Sequence, residues 1–249
     1  MEISREIIIF ASFHDNIDAM KRIMLMLAML LAVAPMCKSQ VEATPTGARL
    51  TLDSVTTEII VYAPGMVRVI KYVGERPELT PCKALKVGKG DPRAKEYRRA
   101  EAKHKYKVDT GLIYAAINDK DGNVSFWDHD EQLILAEQHK TGRLGAPAGK
   151  KGLREVSQDF QFGRAQVDSI WCPSSREHTD LRDRVITVGD RRAGLPSPRI
   201  TTEKGWEIVW NSPLPATLDT RSTRDGHKPS DITFTSTAAP LLDYFFLVR

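Results

Sequence analysis

Apolar and polar positions alternate with period two over short runs from Arg49 onward, and turn residues interrupt the runs every few positions. Arg49-Leu50-Thr51-Leu52 alternates strictly, and Thr57 to Tyr62 is β-branched. After the turn Ala63-Pro64-Gly65, the run Met66 to Tyr72 puts Met66, Arg68, Ile70 and Tyr72 on one face and Val67, Val69 and Lys71 on the other. Together these segments predict a hairpin. A meander follows: His104 to Asp109, Gly111 to Asn118, Asn123 to Trp127 and Gln132 to Glu137 read as strands. Asp119-Lys120-Asp121-Gly122 supplies one turn, with glycine where φ is positive, and Asp128-His129-Asp130-Glu131 supplies the next. Further strands are expected at Glu155 to Phe162, Val185 to Val188, Arg199 to Thr202, Lys204 to Trp210, Ala216 to Asp219, Asp231 to Thr235 and Leu241 to Arg249. Gly88 to His104 is charged without an apolar stripe and reads as a solvated loop; Gly142 to Gly152 reads as a long loop. No run beyond residue 40 keeps a helical period. About a dozen short strands with turns between them predict an all-β, antiparallel β-sandwich.

Upstream the grammar changes. Met20-Lys21-Arg22 precedes an apolar run from Ile23 to Ala34, then Pro35-Met36-Cys37-Lys38-Ser39, the layout of a secretory signal peptide. The run is short for a membrane span. Residues 1–39 are therefore expected to be an N-terminal extension and leader, with export to the periplasm or the exterior, and 40–249 a single domain. Of the three cysteines, Cys82 and Cys172 would remain after cleavage, which is no disulfide framework, and their pairing stays open. The 249 residues carry a formal charge of +4, too mild an excess to point to nucleic acid.

Candidate chemistry is sparse. Asp128 to Glu131 are consecutive, so alternate side chains diverge, and a solvated turn explains them better than a metal site. His104, His139, His178 and His227 lack zinc spacing, and neither metal nor cofactor is indicated. Ser174 and Ser175 near His178 have no nucleophile-elbow glycines around them, and Cys172 has no evident base. Asp119, Asp121, Asp128 and Asp130 sit on turns, where aspartate is common, so no carboxylate pair is nominated for glycoside hydrolysis. Arg182, Arg184, Arg191, Arg192 and Arg199 read as a charged strand edge. Trp206 and Trp210, four apart on one predicted strand, share a face that is either core or a platform for sugar rings, with Asn211 beside it.

Several segments resemble glycoside hydrolase family 31, its α-xylosidase branch in particular. Lys204-Gly205-Trp206-Glu207-Ile208-Val209-Trp210-Asn211-Ser212-Pro213 is similar to the family's KGYGLLWDNYSP segment, and Leu242-Asp243-Tyr244-Phe245-Phe246 to its IDYYF strand. Gly194-Leu195-Pro196-Ser197-Pro198 resembles DIPIPF, Val61 to Val69 resembles FYSPSIVRV, and Gly122 to Asp128 resembles GAVSFYD, all in the family's order over about 48–249. The resemblance implies the N-terminal, galactose-mutarotase-like β-sandwich that precedes a catalytic (β/α)8 barrel. It implies a carbohydrate partner, an α-xyloside or α-glucoside oligosaccharide, and a catalytic barrel on the same or an adjacent chain; no residue before Arg249 resembles the barrel's aspartate motif. Two segments depart from the family: Asp168 to Pro173 stands where LYGLGQ is expected, and Ser212 follows Asn211 where the family has an Asp-Asn pair. The expectation is an accessory domain that is not catalytic alone. A free-standing carbohydrate-binding module using Trp206, Trp210 and Asn211, or an inactive truncated fragment, is the alternative.

Overall fold

The computed structural model describes residues 41–82, 84–85, 98–102, 105–138, 143–147, 152–163, 167–174, 179–189, 198–213, 215–221 and 231–248. The leader expected at 20–39, most of the Gly194 to Pro198 turn, and His104, His139, His178 and His227 lie outside them. Ser39–Arg249 forms one compact unit.

Eighteen strands are present and no helix occurs among the described residues. They are β1 (Glu42–Thr44), β2 (Gly47–Leu52), β3 (Val55–Ala63), β4 (Met66–Val73), β5 (Arg98–Ala102), β6 (Lys105–Asp109), β7 (Tyr114–Asn118), β8 (Val124–Trp127) and β9 (Leu133–Glu137). The second half adds β10 (Arg143–Leu144), β11 (Arg154–Phe162), β12 (Ile170–Trp171), β13 (Val185–Val188), β14 (Arg199–Thr202), β15 (Trp206–Trp210), β16 (Ala216–Asp219), β17 (Ile232–Ala239) and β18 (Leu242–Val248). They build two antiparallel sheets facing one another. One has eight strands in the order β1-β2-β3-β4-β18-β15-β14-β12. The other has ten, in the order β13-β16-β17-β11-β9-β8-β7-β6-β5, with β10 also paired to β11.

The fold is the expected antiparallel β-sandwich, and the period-two pattern is its cause. The hairpin β3–β4 turns at Pro64-Gly65 with Ile59 opposite Val69. Gly122 takes φ of +68°, as its turn requires. Two expectations are corrected. Arg98–Ala102, read as part of a solvated loop, is strand β5, paired with β6 from Arg98↔Asp109 to Ala102↔Lys105. Arg143–Leu144, read as loop, pairs with Ser157 and Val156 of β11. Both lie beside strands whose free edge offers a ladder of backbone groups, and pairing satisfies those groups without demanding an apolar face.

The two sheets differ in how they meet their surroundings. Along β11 and β17 of the ten-stranded sheet buried and less buried residues alternate, as for a sheet with one wet face. In the eight-stranded sheet β15 is buried throughout and β3 nearly so, so this sheet is covered on both faces. Its inner face joins Val67, Val69, Ile208, Trp210 and Tyr244 to the inter-sheet core. Its outer face carries Ile60, Tyr62, Ile70, Val209 and Phe245, under a cover that includes Leu79 and Cys82.

Candidate functional site

Trp206 and Trp210 point inward from β15. Trp210 is fully buried, stacks on Phe234 of the opposite sheet with centroids 5.2 Å apart and planes within 8°, and donates its indole N–H to Ser236 Oγ at 2.8 Å. Trp206, 4% exposed, packs between Phe162 and Phe246 at 5.4 and 6.0 Å. Neither ring has a free face for a sugar, which corrects the platform reading: a central strand of a two-layer fold spends its large aromatics on the inter-sheet contact.

Asn211 has a different role. Its backbone N–H donates to the Asp243 carbonyl at 2.9 Å and its side-chain amide to Asp243 Oδ2 at 2.7 Å. Asp243 in turn takes two bonds from the Arg68 guanidinium, at 2.9 and 2.6 Å, while Arg68 also donates to Tyr62 Oη at 3.2 Å and to the Thr80 carbonyl at 2.9 Å. The cluster lies under the cover of the eight-stranded sheet's outer face, with both charged side chains essentially inaccessible. Burial pushes the Asp243 carboxyl up against the opposing pull of Arg68 and Asn211. Each partner comes from a segment with a family-like pattern: Arg68 from Val67-Arg68-Val69, Asn211 from Trp210-Asn211-Ser212, and Asp243 from Leu242-Asp243-Tyr244. Three motifs far apart in sequence thus converge on one structural clamp.

A second buried network spans the two sheets. Glu137 of β9 accepts from Lys71 Nζ at 2.6 Å, from the Val124 N–H at 2.6 Å and from Tyr244 Oη at 2.9 Å. Burial, then the Glu137 charge and hydrogen bond, hold the Tyr244 phenol well above its usual range. Sequence reasoning did not find this network. Its one signal was Lys71 on the face of Val67 and Val69, an ammonium where the pattern calls for an apolar residue. The charged side chains of both networks are buried, and both tie strands of the sandwich together.

The remaining candidates separate in space. Asp128 to Glu131 do form a turn: Asp128 accepts from the Gln132 N–H at 2.7 Å and Glu131 reaches Lys107 at 2.7 Å. Asp130 and Asp128 do not converge with His129, and among the described residues no three His, Cys, Asp or Glu side chains group to hold a metal. Cys82 and Cys172 are both free and buried, in the outer and inner layers of the eight-stranded sheet respectively. Cys172 Sγ lies 3.1 Å from Ser174 Oγ; Ser175 and His178 are outside the described residues. Arg199 pairs with Glu207 at 2.6 Å and Arg182 with Asp180 at 2.7 Å, so these arginines are already matched; Arg191 and Arg192 are outside the described residues. One open groove of about 480 Å³ lies beside the end of β18, lined by Met66, Leu85, Leu247 and Val248 with Arg199 at its rim. It is apolar and holds no paired carboxylates.

No protein-family model and no curated protein matches the sequence. Solved structures do. The chain superposes on an α-xylosidase of glycoside hydrolase family 31 from a soil metagenome, solved with xylose, at TM-score 0.61 and 17% identity over 85% of this chain and 32% of that one. It also matches a xylosidase from Aspergillus niger (TM-score 0.59, 17% identity, 81% of this chain and 30% of that one). A third match is a family 31 α-xylosidase from Xanthomonas citri (TM-score 0.53, 18% identity, 73% and 19%). The chain therefore has the fold of a β-sandwich region in these enzymes and spans about a third or less of their length.

Proposed function

We propose that this chain is the N-terminal accessory β-sandwich of a family 31 glycoside hydrolase of α-xylosidase or α-glucosidase type, exported through the segment at 20–39 and not catalytic alone. The observation that carries the proposal is the superposition of 73–85% of the chain on α-xylosidases, of which it spans 19–32%. The site chemistry agrees with it. The carboxylates that sequence and structure single out are turn formers or serve buried clamps, and the motifs resembling the family meet in the Arg68–Asn211–Asp243 cluster. Such a domain would pack against a catalytic barrel and help shape the approach of an α-xyloside or α-glucoside oligosaccharide.

The test is enzymatic. Purified full-length chain should leave an aryl α-xyloside uncleaved, and combining it with a barrel encoded beside it should raise the stability or activity of that barrel. Hydrolysis by this chain alone, lost on replacing one of its own carboxylates, would sink the proposal. So would a neighbouring barrel whose activity and stability are indifferent to the chain.

A further inference from the structure

One corner of the ten-stranded sheet's outer face gathers two lysines and two aromatic rings. Val108 of β6, Ala115 and Ile117 of β7, and Phe126 of β8 point into the core, so Lys105, Lys107, Tyr114 and Trp127 point outward. Trp127 is held by its indole N–H, which donates to Ser125 Oγ at 2.8 Å, and it stands opposite Tyr114. Two ammonium groups sit by this one ring: Lys105 Nζ is 4.3 Å from its centroid and Lys107 Nζ 5.9 Å. Lys107 also lies 5.3 Å from the Tyr114 ring.

The charges here are unequal. Glu131, its side chain 71% exposed, neutralises Lys107 at 2.7 Å. Among the described residues no carboxylate lies within ion-pair distance of Lys105, whose ammonium rests on the π face instead. Partial burial, and then the neighbouring Lys107, lower the Lys105 pKa against the weaker opposing pull of Asp121, which lies beyond ion-pair distance. A charge-assisted hydrogen bond to a carboxylate is a stronger partner for an ammonium than an aromatic face. An anion arriving above the two lysines would draw Lys105 away from the indole, and the uncovered ring would then offer a flat apolar surface of the kind on which a sugar's C–H face rests.

We propose that Lys105, Lys107 and Trp127 form a binding surface for an acidic oligosaccharide, its uronate carboxylate bridging the two ammoniums and its adjacent ring stacked on Trp127. The surface rests on the carbohydrate reading above only for the choice of a sugar as carrier of the carboxylate.

Tryptophan fluorescence and calorimetric titration with tetragalacturonate test it, with cellotetraose as the neutral control and tetraglutamate as the acidic peptide control. Saturable binding to tetragalacturonate is expected, with cellotetraose and tetraglutamate each at least about tenfold weaker and affinity falling as salt rises to about 0.3 M. Lys105→Gln and Lys107→Gln should each weaken binding by about tenfold, Lys105→Arg should retain it, and Trp127→Ala should abolish it while the thermal transition stays cooperative. Equal binding of cellotetraose or tetraglutamate, full affinity in Lys105→Gln, or no binding by the unaltered chain would each overturn the proposal. None of these outcomes bears on whether the chain supports hydrolysis with a barrel, so the two proposals fail separately.

Discussion

Lys71 sits on the inward face of β4 with Val67 and Val69, and the position is tolerable only because Glu137, on the opposite sheet, meets it at 2.6 Å. Removing one partner strands the other as an uncompensated buried charge, so Lys71→Met should cost about 3–5 kcal/mol in urea unfolding, and Lys71→Met with Glu137→Gln together should recover much of it. Tyr244→Phe removes one bond to the same carboxylate and should cost about 1.5–3 kcal/mol. The phenol also sets an alkaline limit. Because burial and Glu137 raise the Tyr244 pKa in the folded chain, its contribution is complete below the unfolded tyrosine value of ~10 and is lost as pH rises above it. In ultraviolet titration the ionisation coupled to alkaline unfolding should be smaller in Tyr244→Phe than in the unaltered chain. Lys71 was placed on the right face by period two alone. Its partner was not, because Glu137 is sixty-six positions away and the pattern of one strand is silent about the sheet opposite.

At the scale of elements, β15 is the strand most completely enclosed, with β14 and β18 on its edges and a layer on each face. Trp210 bridges it to β17 through Phe234 and Ser236. Trp210→Phe keeps the ring contact and loses the hydrogen bond, for an expected cost of about 1 kcal/mol. Trp210→Ala leaves a cavity and should cost about 3–5 kcal/mol, which denaturant unfolding will separate from the first. Neither change is expected to alter sugar binding, since the ring is inaccessible. Gly163, after β11, carries a different constraint: a Cβ there would collide with the Leu133 carbonyl oxygen. Gly163→Ala should cost about 1–3 kcal/mol by forcing β9 and β11 apart, with a loss of hydrogen-exchange protection confined to those strands. Strand positions such as Val185–Val188, Arg199–Thr202 and Ala216–Asp219 were legible in the sequence to the residue. Strands β1, β5, β10 and β12 were not, because short edge and linking strands owe their existence to a neighbour's free backbone groups rather than to their own side chains.

For the molecule as a whole, the two faces of the eight-stranded sheet decide what can react with what. Cys82 belongs to the outer layer and Cys172 to the inner, so both thiols are shut in and apart; burial also pushes the Cys82 thiol up. Peptide-level labelling of native protein with a thiol reagent should leave both unmodified, and both should react in urea without prior reduction. A Cys82–Cys172 disulfide in the native protein would contradict the layer assignment. The fold class was legible without coordinates, since alternation with period two and turns at glycine, proline and aspartate leave a layered antiparallel sandwich as the way to bury so many short strands. The order of the family-like segments was legible in the same way. The burial of both tryptophans, the joining of Asn211, Arg68 and Asp243 in one clamp and the pairing of Lys71 with Glu137 came from the packing of the two sheets. Alternation says which side of a strand a residue faces; what it meets there depends on which strands the chain brings beside and across from it, and those partners are set by packing over distances that local pattern does not encode.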